Sequence, residues 1–77
     1  MNILVLGAGK VGSEIARVLV ANSCGVTVVD IDAGRLLEIQ SAHDLRTVQG
    51  NAADPEILQQ AGIADVSIVV AVTAIDE

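Results

Sequence analysis

Three glycines spaced Gly7-x-Gly9-x-x-Gly12, with an aspartate 18 residues further on at Asp30, are the part of this sequence best suited to chemistry. That chemistry is anion binding by the backbone. Gly7 permits a tight turn, Gly9 lets a pyrophosphate approach where a Cβ would otherwise stand, and Gly12 lets a following helix pack closely. The amides at the start of such a helix have no intrahelical partner and sit at the positive end of its dipole, so they face the phosphates. The stretch Gly7, Ala8, Gly9, Lys10, Val11 is therefore the candidate phosphate cradle. Lys10 stands at its mouth, able either to reach a phosphate or to stay solvated. The loop is not a P-loop, because Lys10 is not preceded by the G-x-x-x-x-G spacing that motif requires.

Asp30 closes the apolar run Val26-Thr27-Val28-Val29. A carboxylate there accepts hydrogen bonds from the ribose hydroxyls of an adenine dinucleotide. It would also oppose a 2′-phosphate, which favours NAD(H) over NADP(H). ATP, ADP and AMP carry the same ribose and are not separated from NAD(H) by this residue. Thr73 and Ala74, at the end of the last apolar run, are expected to line the middle of the cofactor, and Asn51 is a candidate for the adenine side. Asp32 reads as a helix cap rather than a ligand contact. His43 falls near the end of a helix, remote from the cradle, and reads as a surface residue. No catalytic set and no metal-ligand spacing is present, so no residue is assigned to catalysis or to a metal.

These residues need a scaffold of alternating strands and helices. Residues 2–6 form a short apolar run ending at a glycine, which predicts a buried strand. Val11, Ile15, Val18 and Leu19 then follow helical spacing, and Gly25 is expected to break that helix. Residues 26–30 are β-branched and predict a second strand. Asp32 caps a helix whose core face is Leu36, Ile39 and Leu37. Arg46-Thr47-Val48 predicts a third strand, closed by Gly50. Asp54-Pro55 is a strong helix start, a capping carboxylate followed by proline at the first helical position. That helix buries Ile57, Leu58 and Ala61 and ends at Gly62. Residues 66–72 predict a fourth strand, apolar on both faces.

The order implies an α/β fold with parallel strands and right-handed crossovers, a Rossmann-type doubly wound sheet in the order 3-2-1-4. Residues 1–77 are read as the N-terminal, truncated part of one such nucleotide-binding domain. Strand 4 then lies at an edge although it is among the most apolar segments. An open apolar edge invites aggregation, so the chain is expected to be a fragment or to have a partner covering it.

Composition agrees. The chain is 52% hydrophobic with no aromatic residue, which suits strands buried by helices on both faces. A net charge of −6 argues against nucleic acid and against an anionic membrane surface as direct partners. It does not argue against a nucleotide, because backbone amides bind phosphate without side-chain charge. The single Cys24 allows no internal disulfide, in keeping with a reducing cytosol, and is read as structural. Neither a signal peptide nor a membrane span is expected.

The segments Ile3 through Gly12, Val29-Asp30-Ile31-Asp32, Gly50 through Leu58 and Val70 through Glu77 together resemble the KTN/RCK (TrkA-N) domains. The resemblance covers the whole chain. Domains of this family are regulatory parts of bacterial Trk potassium uptake systems. The resemblance implies binding of NAD(H), and in some members ATP or ADP. It also implies assembly into dimers or larger rings, and gating of a membrane-embedded potassium-translocating subunit from the cytoplasmic face of the cell membrane. Carried over by motif, the cofactor residues are Gly7, Ala8, Gly9, Lys10, Val11, Asp30, Thr73 and Ala74. The expected role is ligand sensing, not catalysis. The alternatives are the cofactor half of an NAD-dependent oxidoreductase, or a structural fragment with no retained ligand affinity.

Overall fold

The computed structural model describes residues 1–72. The elements are β1 (Asn2–Leu6), α1 (Lys10–Ala21), β2 (Gly25–Asp30), α2 (Ala33–Ala42), β3 (Arg46–Gln49), α3 (Pro55–Gln60), a 3₁₀ turn (Ile63–Asp65) and β4 (Ile68–Ala71). The four strands form one parallel sheet in the order β3-β2-β1-β4, as the alternation of strands and helices predicts.

Strand alternation divides the apolar residues between two layers. Ile3 and Val5 of β1 and Val26 and Val28 of β2 face α1 and α2, where Ala16, Leu36 and Ile39 complete one core. Leu4 and Val29 face the other way and pack with Ala61, Ile57 and Leu58 at α3. Helices therefore cover both faces of the sheet. Leu4, Val5, Val28 and Val29 are fully buried at the centre. Each such side chain contributes about 1.5–3 kcal/mol by leaving water.

Two capped helix starts follow the sequence closely. Asp32 accepts from the amides of Gly34 and Arg35 at 2.9 and 3.3 Å. Asp54 accepts from Glu56 at 3.0 Å, with Pro55 in the first turn.

Several expectations are corrected. The inner face of α1 is not built from Val11 and Val18, which are 59% and 44% exposed; its buried residues are Gly12 and Ala16, with Leu19 and Val20 packed beside them. A helix lying this close to a sheet presents its smallest residues, and the larger ones move to the flanks. Leu37 likewise turns outward at 69% exposure. Gly25 does not end α1. The helix stops at Ala21, Ser23 takes the left-handed conformation (φ 65°), and Gly25 is the first residue of β2. The fourth strand, Ile68–Ala71, is shorter than 66–72, although Ser67 N–H and Val72 N–H still donate to the Asn2 and Leu6 carbonyls at 2.8 Å on either side of it. It lies at the sheet edge as expected, with Ile68 and Val69 45% and 44% exposed.

Candidate functional site

The parallel ladder delivers the ends of β1, β2 and β3 to one level. Gly7 N–H donates to the Val29 carbonyl at 2.7 Å, and Gly50 N–H to the Asp30 carbonyl at 3.0 Å. At this level β1 turns into α1. Gly7 makes the turn with φ 117°, a backbone region that disfavours any residue with a Cβ. Ala8 is buried, and Gly9 takes the N-cap position in extended conformation (φ −71°, ψ −167°). Ser13 fastens the turn from within the helix: its N–H donates to the Gly9 carbonyl at 2.8 Å and its hydroxyl to the Ala8 carbonyl at 3.0 Å.

The other two glycines divide their tasks. A Cβ on Gly12 would lie 2.0 Å from the Gly7 carbonyl oxygen, so the helix rests directly on the turn. A Cβ on Gly9 would meet nothing nearer than Arg35 Nη1 at 3.9 Å. The space over Gly9 is open, as backbone approach by a phosphate requires. No side chain caps α1. Its positive end therefore faces that space with Lys10 and Val11 exposed in the first turn. A cradle without a Cβ and a helix start without a side-chain cap fit a dinucleotide's pyrophosphate.

Asp30 has a second task that the sequence does not announce. Its Oδ2 accepts from Ala8 N–H at 2.7 Å and its Oδ1 from Asp32 N–H at 2.7 Å. The carboxylate thus binds the glycine turn to the end of β2 and orders the start of the β2–α2 loop. An ionised carboxylate has about four acceptor positions. Two are used here, which leaves room for ribose hydroxyls.

A cleft of about 310 Å³ opens beside the turn, lined by Leu6, Gly7, Asp30, Ile31, Arg35 and Asn51 among others. The structure thus brings together Gly7 and Asp30 with the base of the cradle. Asn51 lines the cleft but turns its Oδ1 back onto Ala53 N–H at 2.8 Å, which holds the loop before α3. Thr73 and Ala74 lie outside the described residues. Arg35 is the side chain that sequence reading missed. It belongs to α2, and only the topology brings it over the glycine turn.

Other candidates fall elsewhere. His43 is the C-cap of α2, and Cys24 precedes β2 with its Sγ 4.0 Å from the Asn22 carbonyl; both sit at the opposite end of the sheet. That end also has a larger hollow, about 390 Å³, lined by Asn2, Asp44, Arg46 and Asp65 among others. It collects helix C-termini, whose partial negative charge repels phosphate, and ligands of open α/β sheets bind at the strand C-termini instead. On the outer side of α1, the hydrogen bond and charge of Arg17 hold the exposed Glu14 carboxyl below its usual range. Among the described residues, no group of three acidic, His or Cys side chains could hold a metal ion, and no helix is long and apolar enough to cross a membrane.

Comparison with known proteins agrees with this geometry. The TrkA-N domain family model matches residues 3–77. The chain is 47% identical over all 77 residues to the Trk system potassium uptake protein TrkA of Haemophilus influenzae, and it spans 17% of that protein's length. A TrkA homolog of Pyrococcus abyssi is 29% identical over the same 77 residues, which cover 34% of its length. Among solved structures, the TrkA-N domain of the inner membrane protein ybaL from Escherichia coli superposes with a TM-score of 0.83 at 30% identity, over 91% of this chain and 51% of that one. The Kef CTD of Shewanella denitrificans, in AMP bound form, shares the fold with a TM-score of 0.73 at 22% identity, over 90% and 40% of the two chains. A match beginning at the third residue leaves the whole glycine turn, and Asp30 beside it, inside the family's own domain: the chain belongs to the TrkA-N domain family.

Proposed function

We propose that this chain is the nucleotide-sensing module of a Trk-type potassium uptake system and that it binds NAD(H) at the junction of β1 and α1. The observation that carries the reading is the helix start without a side-chain cap, opening over Gly9 next to the Asp30 carboxylate. The backbone of Gly7, Ala8, Gly9, Lys10 and Val11 receives the pyrophosphate. Asp30 receives the adenosine ribose, and Thr73 and Ala74 border the middle of the cofactor. Charge-assisted hydrogen bonds contribute about 1.5–3 kcal/mol each, so a few of them suffice for micromolar affinity. ATP and ADP present the same ribose and phosphates and compete for the same site.

The module acts in the cytoplasm, peripheral to the inner face of the membrane, in a homo-oligomer that contacts a membrane-embedded potassium-translocating subunit. Its work is regulation, not catalysis. Ligand binding gates transport because the nucleotide binds one assembly state more tightly than another, and only such differential affinity shifts an equilibrium. Support for this wider reading comes from family membership and from the potassium uptake proteins that the chain resembles.

The test is Asp30→Ala in the intact protein, titrated calorimetrically with NADH and NADPH. NADH should bind about tenfold more weakly, the loss of roughly one good charge-assisted hydrogen bond. The preference for NADH over NADPH should shrink with it. An unchanged preference would remove Asp30 from the ribose. Absence of binding heat for NADH, ADP and ATP with the unaltered protein would overturn the proposal.

A further inference from the structure

We infer that Arg35 is a phosphate-binding residue of the cleft and that it makes affinity rise with the phosphate charge of the nucleotide. The inference rests on nucleotide binding at the glycine turn and adds a residue to that site.

The chain has four lysines and arginines, Lys10, Arg17, Arg35 and Arg46. Arg17 pairs with Glu14 on the outside of α1, and Arg46 begins β3 at the opposite end of the sheet. The remaining two lie at the glycine turn. Lys10 opens α1, and Arg35, in the first turn of α2, reaches across the cleft. Its Nη1 stands 3.9 Å from where a Cβ of Gly9 would be, which is the place a pyrophosphate must occupy.

The local charge needs this cation. Asp30 and Asp32 both lie beside the turn, and the chain as a whole carries −6. A phosphate approaching Gly9 is repelled by both carboxylates, and without Arg35 only the backbone dipoles and Lys10 oppose that repulsion. A guanidinium offsets that repulsion, and its planar fork matches two phosphate oxygens at once. Asp32 lies beside the side chain, with its Oδ2 3.8 Å from Arg35 Nε, while both side chains stay about half exposed at 50% and 52%. An exposed pair of this length is weak, so Arg35 can exchange a carboxylate for a phosphate without losing a strong interaction. Asp32 thus caps α2 and stands beside the arginine without holding it firmly.

The experiment is calorimetric titration of the intact protein and of Arg35→Gln and Arg35→Lys, each with adenosine, AMP, ADP, NADH and NADPH. The unaltered protein should bind ADP more tightly than AMP, and AMP more tightly than adenosine. Arg35→Gln should leave adenosine unchanged, weaken AMP slightly, and weaken ADP and NADH about tenfold, the loss of one charged contact. Arg35→Lys should recover part of that loss, because it keeps the charge and loses the fork. The inference falls if Arg35→Gln binds ADP and NADH as the unaltered protein does. It falls equally if adenosine is lost in step with ADP, which would indicate a packing role. A loss confined to NADPH would also overturn it, since the arginine would then read a 2′-phosphate. An unaltered protein that binds none of the five would overturn the functional reading as well, whereas normal binding with an indifferent Arg35→Gln overturns this inference alone.

Discussion

Among the described residues, the three strand-to-helix junctions at the C-terminal end of the sheet are built in two ways. β2 and β3 hand over to their helices through aspartates, Asp32 and Asp54, whose carboxylates accept from first-turn amides. β1 hands over through Gly9, and no side chain caps the helix that follows. The first two junctions are closed within the chain. The third keeps its first-turn amides free of a side-chain acceptor, and Asp30 holds it from the side through Ala8 N–H. The same connection can thus serve structure or recognition, depending on whether its N-cap carries an acceptor. Capping by Asp rather than Gly is worth only a few tenths of a kcal/mol, roughly 0.3. At β1 the chain forgoes that gain and keeps the helix dipole available to an external anion.

The sharpest way to break the contrast is within the glycine turn itself. Gly12→Val places a Cβ on the Gly7 carbonyl, 2.0 Å away, where only backbone could yield. It should cost about 3 kcal/mol, the upper range of overpacking, and a urea unfolding curve will show it as a lowered midpoint. Gly9→Ala should behave in the opposite way. Its Cβ enters open space from an ordinary extended conformation, so stability should change by less than about 1 kcal/mol. The methyl group occupies the phosphate path, however, and NADH titration should show binding reduced at least tenfold, about 1.4 kcal/mol. If both variants lose stability alike, the division of labour between the two glycines is wrong.

At the closed junctions the expected effects are smaller and purely structural. Asp54→Ala removes the acceptor for Glu56 N–H and should lower stability by about 1 kcal/mol in the same unfolding assay, leaving NADH affinity unchanged. A change in nucleotide affinity there would mean that the α3 junction is not closed.

The difference between junctions also explains what could be read from sequence. Asp32 and Asp54-Pro55 announce capped helices because caps are local chemistry, satisfied within three residues. The glycine spacing announces its turn for the same reason, and apolar runs such as Ile3-Leu4-Val5 announce strands buried on both faces. Contacts between distant segments were not legible. Val11 and Val18 promise a core face by their size, yet the helix crosses the sheet too closely for them, and Gly12 and Ala16 take that face. Ser23 gives no sign that it adopts φ 65°, because the conformation is imposed by joining α1 to β2. The grip of Asp30 on Ala8 spans 22 residues, and the position of Arg35 above Gly9 depends on how α2 lies against the sheet.

The finest test converts the open junction into a closed one. Gly9 already has the extended backbone of an N-cap, φ −71° and ψ −167°, so Gly9→Ser needs no rearrangement. A serine hydroxyl there can accept from the amides of the first turn, as Asp32 and Asp54 do for their own helices. Serine exceeds glycine at this position by only a few tenths of a kcal/mol, roughly 0.3. Thermal unfolding without nucleotide should therefore show a slightly higher midpoint. The same hydroxyl would occupy the amides that the pyrophosphate needs, so the stabilisation conferred by saturating NADH should fall. If the open junction exists for an anion, these two changes must have opposite signs. A serine that leaves NADH stabilisation intact would show that the first-turn amides of α1 are not where the phosphate binds.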